Sequence, residues 1–233
     1  MKTVLILDDD EAFRELLTPL IEARGRRCLG AGTVAEALSI VGAEDPELVI
    51  VDYMLPDGNG GEFVAALRAR ASRTVLVCLS ASLTGWAHFE QMQAEQDISL
   101  VLRKPIFPKS FGVHLDDLLP VETSAEAVTR VLGEKMAELH RQYVEALPAK
   151  LDALTQAIGR ARDAPSESAH LEVAISLAHR LHGTAASYGC PAVGRAAGRI
   201  ERAIEGLASA ELSVSEAWAE IDEAVDLAIA SLK

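Results

Sequence analysis

Residues 48–63, LVIVDYMLPDGNGGEF, contain the pattern that decides the fold of the first half of the chain. Their first four residues, Leu48–Val51, form an unbroken apolar run, which is typical of a parallel strand that is covered on both faces. The acidic residue Asp52 follows this run directly, and a helical pattern begins at Gly60 after a turn rich in glycine. The stretch therefore predicts one βα unit with a carboxylate at the end of its strand.

The same unit recurs from residue 1 to residue 119. The predicted strands are Thr3–Leu7, Arg27–Ala31, Leu48–Val51, Thr74–Leu79 and Ile98–Leu102, and the predicted helices are Glu11–Arg24, Val34–Val41, Gly60–Arg70, Thr84–Glu95 and Lys109–Leu119. This alternation predicts an α/β fold, a doubly wound (βα)5 parallel sheet with helices on both faces. Ligands of such sheets bind beyond the carboxyl ends of the strands.

The second half, from Ser124 onward, is rich in alanine, leucine and glutamate and has almost no strand pattern. It predicts an all-α domain, an antiparallel helical bundle, with helices at residues 125–147, 149–162, 167–187, 191–208 and 213–232. Pro148 either separates the first two helices or lies in a kink of one longer helix. The predicted organisation is a first domain at residues 1–120, a short linker at 121–125 and a helical domain at 126–233.

Charge and hydropathy restrict the classes of partner. The chain has 233 residues, with 22 Lys and Arg against 35 Asp and Glu, and both halves share the formal net charge of −13. Contacts to a phosphate backbone require a positive field, so a nucleic-acid-binding domain is not expected. No apolar run approaches the roughly 20 residues of a membrane-spanning helix, so no membrane segment is expected either.

The amino terminus and the cysteines predict the compartment. The first apolar run ends after Leu7 at three aspartates, which is too early for a signal peptide. Cys28, Cys78 and Cys190 are odd in number and far apart, which does not fit a disulfide framework or a structural zinc site. We therefore expect a cytoplasmic protein.

Charged and polar residues follow four of the predicted strands. Asp8–Asp10 follow the first strand, Asp52 the third, Ser80 the fourth and Lys104 the fifth. The carboxylates meet at one edge of a parallel sheet if the first and third strands are neighbours, and a hard cation such as Mg²⁺ would then offset their repulsion. Carboxylates, a metal, a hydroxyl and a lysine at one point predict a site that handles a phosphoryl group.

Each of these residues also has a simpler interpretation when it is taken alone. Asp8–Asp10 fit a solvated helix N-terminus, where acidic residues favour the helix dipole. Asp52 fits a turn, and Lys104 fits a surface charge. Their common position at the ends of the strands favours the single site.

Four segments together resemble the receiver domain of bacterial two-component response regulators. They are VLILDDDEAFRELL at 4–17, LVIVDYMLPDGNGGEF at 48–63, VLVCLSAS at 75–82 and LVLRKP at 100–105. The resemblance implies that Asp52 is the phosphoryl acceptor and that Asp8 and Asp9 hold Mg²⁺ with the backbone carbonyl of Met54. It also implies that Ser80 binds a phosphoryl oxygen and that Lys104 pairs with the phosphorylated carboxylate.

The same resemblance gives three further expectations. Asp10 lies outside the usual acidic pair and is expected to cap the following helix. A cis peptide bond is expected at Lys104–Pro105, because cis bonds cost little only before proline. Val101 stands where receivers commonly carry a tyrosine or phenylalanine, so switching of the signalling face by an aromatic side chain is not expected.

The segment AHRLHGTAASYG, residues 178–189, is the main feature of the second half. Helical spacing places His179 about 100–120° from the centre of an apolar stripe, which predicts an exposed imidazole at the edge of the stripe or outside it. Gly183 lies one turn later and would leave room for another active site to dock on that imidazole. The alternative is a surface histidine beside a tolerated glycine.

The longer segment HRLHGTAASYGCPAVGRAAGRIE, residues 179–201, resembles the histidine phosphotransfer (HPt) domain, a four-helix bundle. The resemblance implies that His179 carries a phosphoryl group. His182 departs from the family pattern, since lysine often occupies its place, although an imidazole can still donate a hydrogen bond to an incoming phosphoryl group.

These features predict a phosphorelay protein. A sensor histidine kinase would phosphorylate Asp52, and His179 would carry a phosphoryl group to or from another response-regulator receiver. No ATP-binding motif is present, so we expect a phosphoryl carrier that is not itself a kinase. The alternative is a docking module that Asp52 phosphorylation regulates and in which His179 has no chemistry. The sequence leaves the oligomeric state, including a homodimer, open.

Overall fold

A computed structural model describes residues 2–70, 73–81, 97–119, 125–164, 168–209 and 211–232. The chain divides into two compact units, Met1–Leu139 and His140–Lys233. The predicted helix at Thr84–Glu95 and the predicted linker before Ala125 lie outside the described residues.

The first unit contains the predicted parallel sheet. Its strands are β1 (Thr3–Leu7), β2 (Arg27–Ala31), β3 (Leu48–Asp52), β6 (Val75–Ser80) and β7 (Leu100–Arg103), and a two-residue pair, β4 (Met54–Leu55) and β5 (Gly58–Asn59), forms a separate hairpin. The sheet has the order β2-β1-β3-β6-β7, and every pair within it is parallel. β1 and β3 are therefore neighbours, which the predicted acidic site requires.

The apolar runs explain why β1 and β3 occupy the centre of this sheet. Every residue from Val4 to Leu7 and from Leu48 to Val51 is fully buried. A strand with apolar residues on both faces is stable only when helices cover both faces. The sheet therefore places the polar residues that end these strands at a protected edge.

Polar caps determine where the helices of the first unit begin. These helices are α1 (Glu11–Glu22), α2 (Val34–Glu44), α3 (Gly60–Ala69) and α4 (Pro108–Leu118). Asp10, Thr33 and Asn59 each accept a hydrogen bond from a backbone N–H of the first turn that follows. Asp10 is thus a helix cap, as predicted, because its carboxylate satisfies an N–H that has no partner within the helix.

The second unit is helical, as predicted. Its helices are α5 (Ala125–Asp163), which begins in the first unit, and α6 (Ser168–Thr184), α7 (Pro191–Ala208) and α8 (Val214–Ala230). Of the two possibilities at Pro148, the structure has one continuous helix. Packing of α5 outweighs the local cost of a proline within a helix.

Helices α6 and α7 approach each other closely because α7 has glycines where they meet. A Cβ atom at Gly194 would lie 3.4 Å from the backbone nitrogen of Ala186, and one at Gly198 would lie 3.0 Å from the ring of His182. The predicted helix at 167–187 ends earlier, at Thr184, and the chain turns before Gly189, whose φ of +79° favours glycine.

Candidate functional sites

The carboxylates of Asp8, Asp9 and Asp52 form a cluster at the carboxyl edge of the sheet. One oxygen from each lies within 4.8 Å of the others. Asp8 and Asp52 are each only 1% exposed, and Asp9 is half-buried. Burial of three acidic groups at this separation is unfavourable without compensating positive charge.

Lys104 supplies part of that charge. Its Nζ lies 2.7 Å from Asp8 Oδ2 and 2.6 Å from Asp52 Oδ2. Burial favours the neutral amine, but Asp52 and Asp8 outweigh burial and hold the pKa of Lys104 above its ordinary value. Lys104 is therefore a permanent cation that joins the ends of β1 and β3.

The electrostatics of Asp8 differ from those of an exposed aspartate. Burial and the nearby charge of Asp52 raise the pKa of Asp8, although Lys104 opposes this shift. Lys104 contacts two of the three carboxylates of the cluster, so acidic groups outnumber the lysine that compensates them.

The backbone around Asp8 is fixed by hydrogen bonds. Its N–H donates to the carbonyl of Ala31, its Oδ1 accepts from the N–H of Asp10, and its carbonyl accepts from Arg14 Nη1 at 2.5 Å. Arg14 was not among the predicted site residues. A basic residue one turn into α1 and near the acidic cluster is a signal that could have indicated it.

The strand ends on the other side of Asp52 carry the remaining predicted residues. Ser80 is fully buried at the end of β6, and its carbonyl accepts a hydrogen bond from the N–H of Lys104 at 2.8 Å. The Lys104–Pro105 peptide bond is cis, as expected. Val101, on β7, is partly buried against the core.

The hairpin after Asp52 places Met54 near the cluster. The N–H of Met54 donates to Asp52 Oδ1 at 3.3 Å. The hairpin is anchored because Asp57 accepts hydrogen bonds from the N–H groups of Val34 and Ala35, which begin α2. These two bonds lower the pKa of Asp57, although slight desolvation opposes them.

The donor set fits Mg²⁺. It consists of carboxylate oxygens on two neighbouring strand ends, and Mg²⁺ prefers oxygen ligands and retains waters and phosphate oxygens in its shell.

A second candidate site lies between α6 and α7. His179 is 8% exposed, and its Nδ1 lies 2.6 Å from Glu201 Oε1. The prediction of an exposed imidazole was therefore wrong. Helical spacing described α6 alone, whereas α7 packs against α6 and brings Glu201 over the ring. Gly183 is also buried, so it does not lie beside an open surface.

Glu201 is a residue of this candidate site that the sequence analysis missed. It is 7% exposed and also binds His182, whose Nδ1 lies 2.7 Å from Oε2. Burial alone would raise the pKa of Glu201, but hydrogen bonds from His179 and His182 outweigh it and lower the pKa to about 2. A glutamate three residues after Gly198, on the buried stripe of α7, is a signal that could have revealed it.

Comparison with protein families identifies both parts of the chain. The response regulator receiver domain matches residues 4–113, and the Hpt domain matches residues 138–233. The chain is a receiver domain followed by an Hpt domain, as the motifs predicted. Both are phosphotransfer modules of two-component signalling.

Individual relatives match over part of their length. The KDP operon transcriptional regulatory protein KdpE of Escherichia coli is 38% identical over 77 residues, which cover 33% of this chain and 34% of KdpE. The phosphate regulon transcriptional regulatory protein PhoB of Pseudomonas aeruginosa is 25% identical over 153 residues, which cover 64% of this chain and 67% of PhoB. The chain thus spans about a third of KdpE and two-thirds of PhoB.

Among solved structures, the non-phosphorylated HemR receiver domain of Leptospira biflexa has a TM-score of 0.47 and 23% identity. The match covers 53% of this chain and 98% of that domain.

Within the described ranges, no helix has the length and apolar character needed to cross a membrane.

Proposed function

We propose that Asp52 accepts a phosphoryl group from a sensor histidine kinase and that His179 carries a phosphoryl group to or from another response-regulator receiver. The observation that carries the proposal is that each nucleophile has a buried, charged partner. Asp52 is paired with Lys104, and His179 with Glu201. The two family matches support phosphoryl transfer as the chemistry. The direction of transfer and the identity of the partners are part of the proposal.

At the first site, an Asp52 oxygen attacks the phosphorus of a phosphohistidine, and the P–N bond to the donor histidine breaks. Lys104 neutralises oxygen charge as the phosphoryl group arrives, and the Ser80 hydroxyl binds one of its oxygens. Asp8, Asp9 and Asp52, with the carbonyl of Met54, would hold Mg²⁺, which when bound neutralises charge on the transferring group.

At the second site, His179 Nε2 is buried, so the ring must first become exposed to the partner. Its Nε2 lone pair then attacks the phosphorus of an aspartyl phosphate. The P–O bond to the donor carboxylate breaks, and that carboxylate leaves as an anion. The Nδ1 proton stays on His179, so the phosphorylated ring is a cation that Glu201 stabilises. Charge is conserved, and the reverse step returns the phosphoryl group to a carboxylate.

We propose that the two sites serve separate partners. The receiver domain at residues 1–120 would meet a kinase, and the helical domain at 126–233 would meet a second receiver. Transfer between Asp52 and His179 would require a partner or a second copy of the chain. The buried pair of His179 and Glu201 favours this function over a docking module, because binding alone does not require an oriented imidazole.

A phosphotransfer panel tests the proposal. Labelled histidine kinases and, separately, labelled response-regulator receivers are mixed with the wild type, Asp52→Asn, His179→Gln and the control His170→Gln, which changes another histidine on α6. We expect Asp52→Asn to remove the acyl-phosphate label and His179→Gln to remove an acid-labile, base-stable label. A wild type that carries only acyl phosphate, with kinases and with phosphorylated receivers, would favour the docking alternative.

A further inference from the structure

One carboxylate binds two histidines in the second unit. Glu201 Oε1 lies 2.6 Å from His179 Nδ1, and Oε2 lies 2.7 Å from His182 Nδ1. All three side chains are largely removed from solvent, with exposed side-chain fractions of 9% for Glu201, 10% for His179 and 23% for His182. Each oxygen of the carboxylate thus has its own imidazole.

The hydrogen bonds determine which nitrogen of each neutral ring carries the proton. An ionised carboxylate only accepts hydrogen bonds, so both rings donate through Nδ1–H. In His179 this arrangement leaves the lone pair on Nε2, the nitrogen that attacks phosphorus in the proposed function.

A lysine at position 182 could bind an incoming phosphoryl group directly. His182 has little scope to do so. Its Nδ1–H is committed to Glu201, and the far edge of its ring lies over Gly198 on α7. A Cβ atom at Gly198 would lie 3.0 Å from Nε2 and Cδ2 of that ring. The side chain is therefore directed towards Glu201 and α7.

We propose that His182 is a positioning residue that holds Glu201 in the orientation that fixes the Nδ1–H form of His179. Gly198 is part of the same arrangement, because a Cβ atom there would lie 3.0 Å from the His182 ring and force the ring to shift. Without the hydrogen bond from His182, the Glu201 side chain can adopt other rotamers. The rotamer that accepts the hydrogen bond from His179 is then less populated. The consequence for transfer rests on the proposed function, whereas the consequence for the proton position does not.

Asparagine and leucine provide a matched pair for the test. They have nearly the same shape, but only the asparagine amide can donate a hydrogen bond near the position of the imidazole Nδ1–H. In the full chain, ¹⁵N NMR of the His179 ring measures the fraction of the Nδ1–H form. We expect His182→Leu to lower this fraction and His182→Asn to retain most of it.

Glycine substitutions test the same arrangement from α7. Gly198→Ala places a methyl group against the His182 ring, and we expect it to lower the Nδ1–H fraction of His179 in the same direction as His182→Leu. Gly159→Ala is the control, because a Cβ atom there would meet nothing within 4 Å. It should leave the His179 spectrum unchanged.

Phosphotransfer separates this proposal from the proposed function. We expect His182→Leu to lower the maximal rate of transfer to His179 several-fold with a smaller change in KM, and His182→Asn to restore most of it. An unchanged Nδ1–H fraction in folded His182→Leu, or equal losses in the Leu and Asn variants, would overturn the positioning role. If wild-type His179 accepts no phosphoryl group but the NMR difference persists, the proposed function fails and the positioning role stands.

Discussion

Lys104 Nζ lies 2.6 Å from Asp52 Oδ2 although the two residues are 52 positions apart in the chain. The pair is buried, and the same Nζ also contacts Asp8. A single ammonium group therefore holds the ends of two neighbouring strands, β1 and β3. In a low-dielectric site, removal of one partner leaves the other charge uncompensated. The proposed phosphoryl acceptor, Asp52, thus contributes to the stability of the sheet edge through this ion pair.

We expect Lys104→Met to lower the free energy of unfolding by about 3 kcal/mol in the absence of Mg²⁺, because Asp8 and Asp52 lose their buried cation. Urea denaturation measures the loss, and the exposed Lys109→Met is the control. Added Mg²⁺ should recover part of the stability of Lys104→Met. A loss below about 0.5 kcal/mol, the range of an ordinary surface substitution, would show that the lysine does not compensate the cluster.

We expect Asp9→Ala to weaken Mg²⁺ binding without lowering the stability of the Mg²⁺-free protein. The substitution removes a ligand and also removes repulsion between carboxylates. Thermal unfolding with and without Mg²⁺ measures both effects, since a bound cation raises Tm by mass action. Asp117→Ala, an exposed position on α4, is the control, and a marked loss of stability without Mg²⁺ in Asp9→Ala would assign Asp9 a structural role.

Glu201 should make stability depend on pH. Its pKa in the folded protein is about 2, below the ordinary value of 4.5, so its contribution is fully present above about pH 5 and is lost as pH falls towards 2. The contribution is up to about 3 kcal/mol. At pH 6 we expect urea denaturation to give a higher free energy of unfolding for the wild type than for Glu201→Gln. This difference should be smaller at pH 3.5. A difference that is constant with pH would contradict this linkage.

The anchor of the hairpin can be tested separately from the acidic cluster. Asp57→Ala removes the acceptor from two N–H groups at the start of α2, so we expect a loss of about 1 kcal/mol. Asp57→Asn should lower the free energy of unfolding by less, because the amide oxygen can still accept a hydrogen bond from these N–H groups. Equal stability of Asp57→Ala and wild type in urea denaturation would show that solvent replaces these two hydrogen bonds without cost.

The sequence predicted the sheet well because its signals are local. The apolar runs Val4–Leu7 and Leu48–Val51 indicated buried strands, and Asp10 and Thr33 lie where their short polar side chains cap helices. The hairpin at Met54–Asn59 was missed because two-residue strands have no measurable periodicity.

The histidine site was predicted only in part because its geometry depends on two helices. Periodicity placed His179 relative to its own helix, but its burial depends on Glu201, which is 22 residues away on α7. The continuity of α5 through Pro148 also depends on tertiary packing, since Leu147 and Leu151 on either side of the proline are buried. The periodicity of one helix carries no information about its contacts with other helices.

The central claim is that the chain carries phosphoryl groups on both Asp52 and His179. ³¹P NMR of the full chain tests it most directly, because an acyl phosphate and a phosphoimidazole give separate resonances. The chain is incubated with phosphorylated kinase and phosphorylated receiver in the presence of Mg²⁺ and is then separated from both partners. We predict both signals in the wild type. We predict loss of the acyl-phosphate signal alone in Asp52→Asn and of the phosphoimidazole signal alone in His179→Gln. A phosphoimidazole signal that persists in His179→Gln, or an acyl-phosphate signal that persists in Asp52→Asn, would contradict the account.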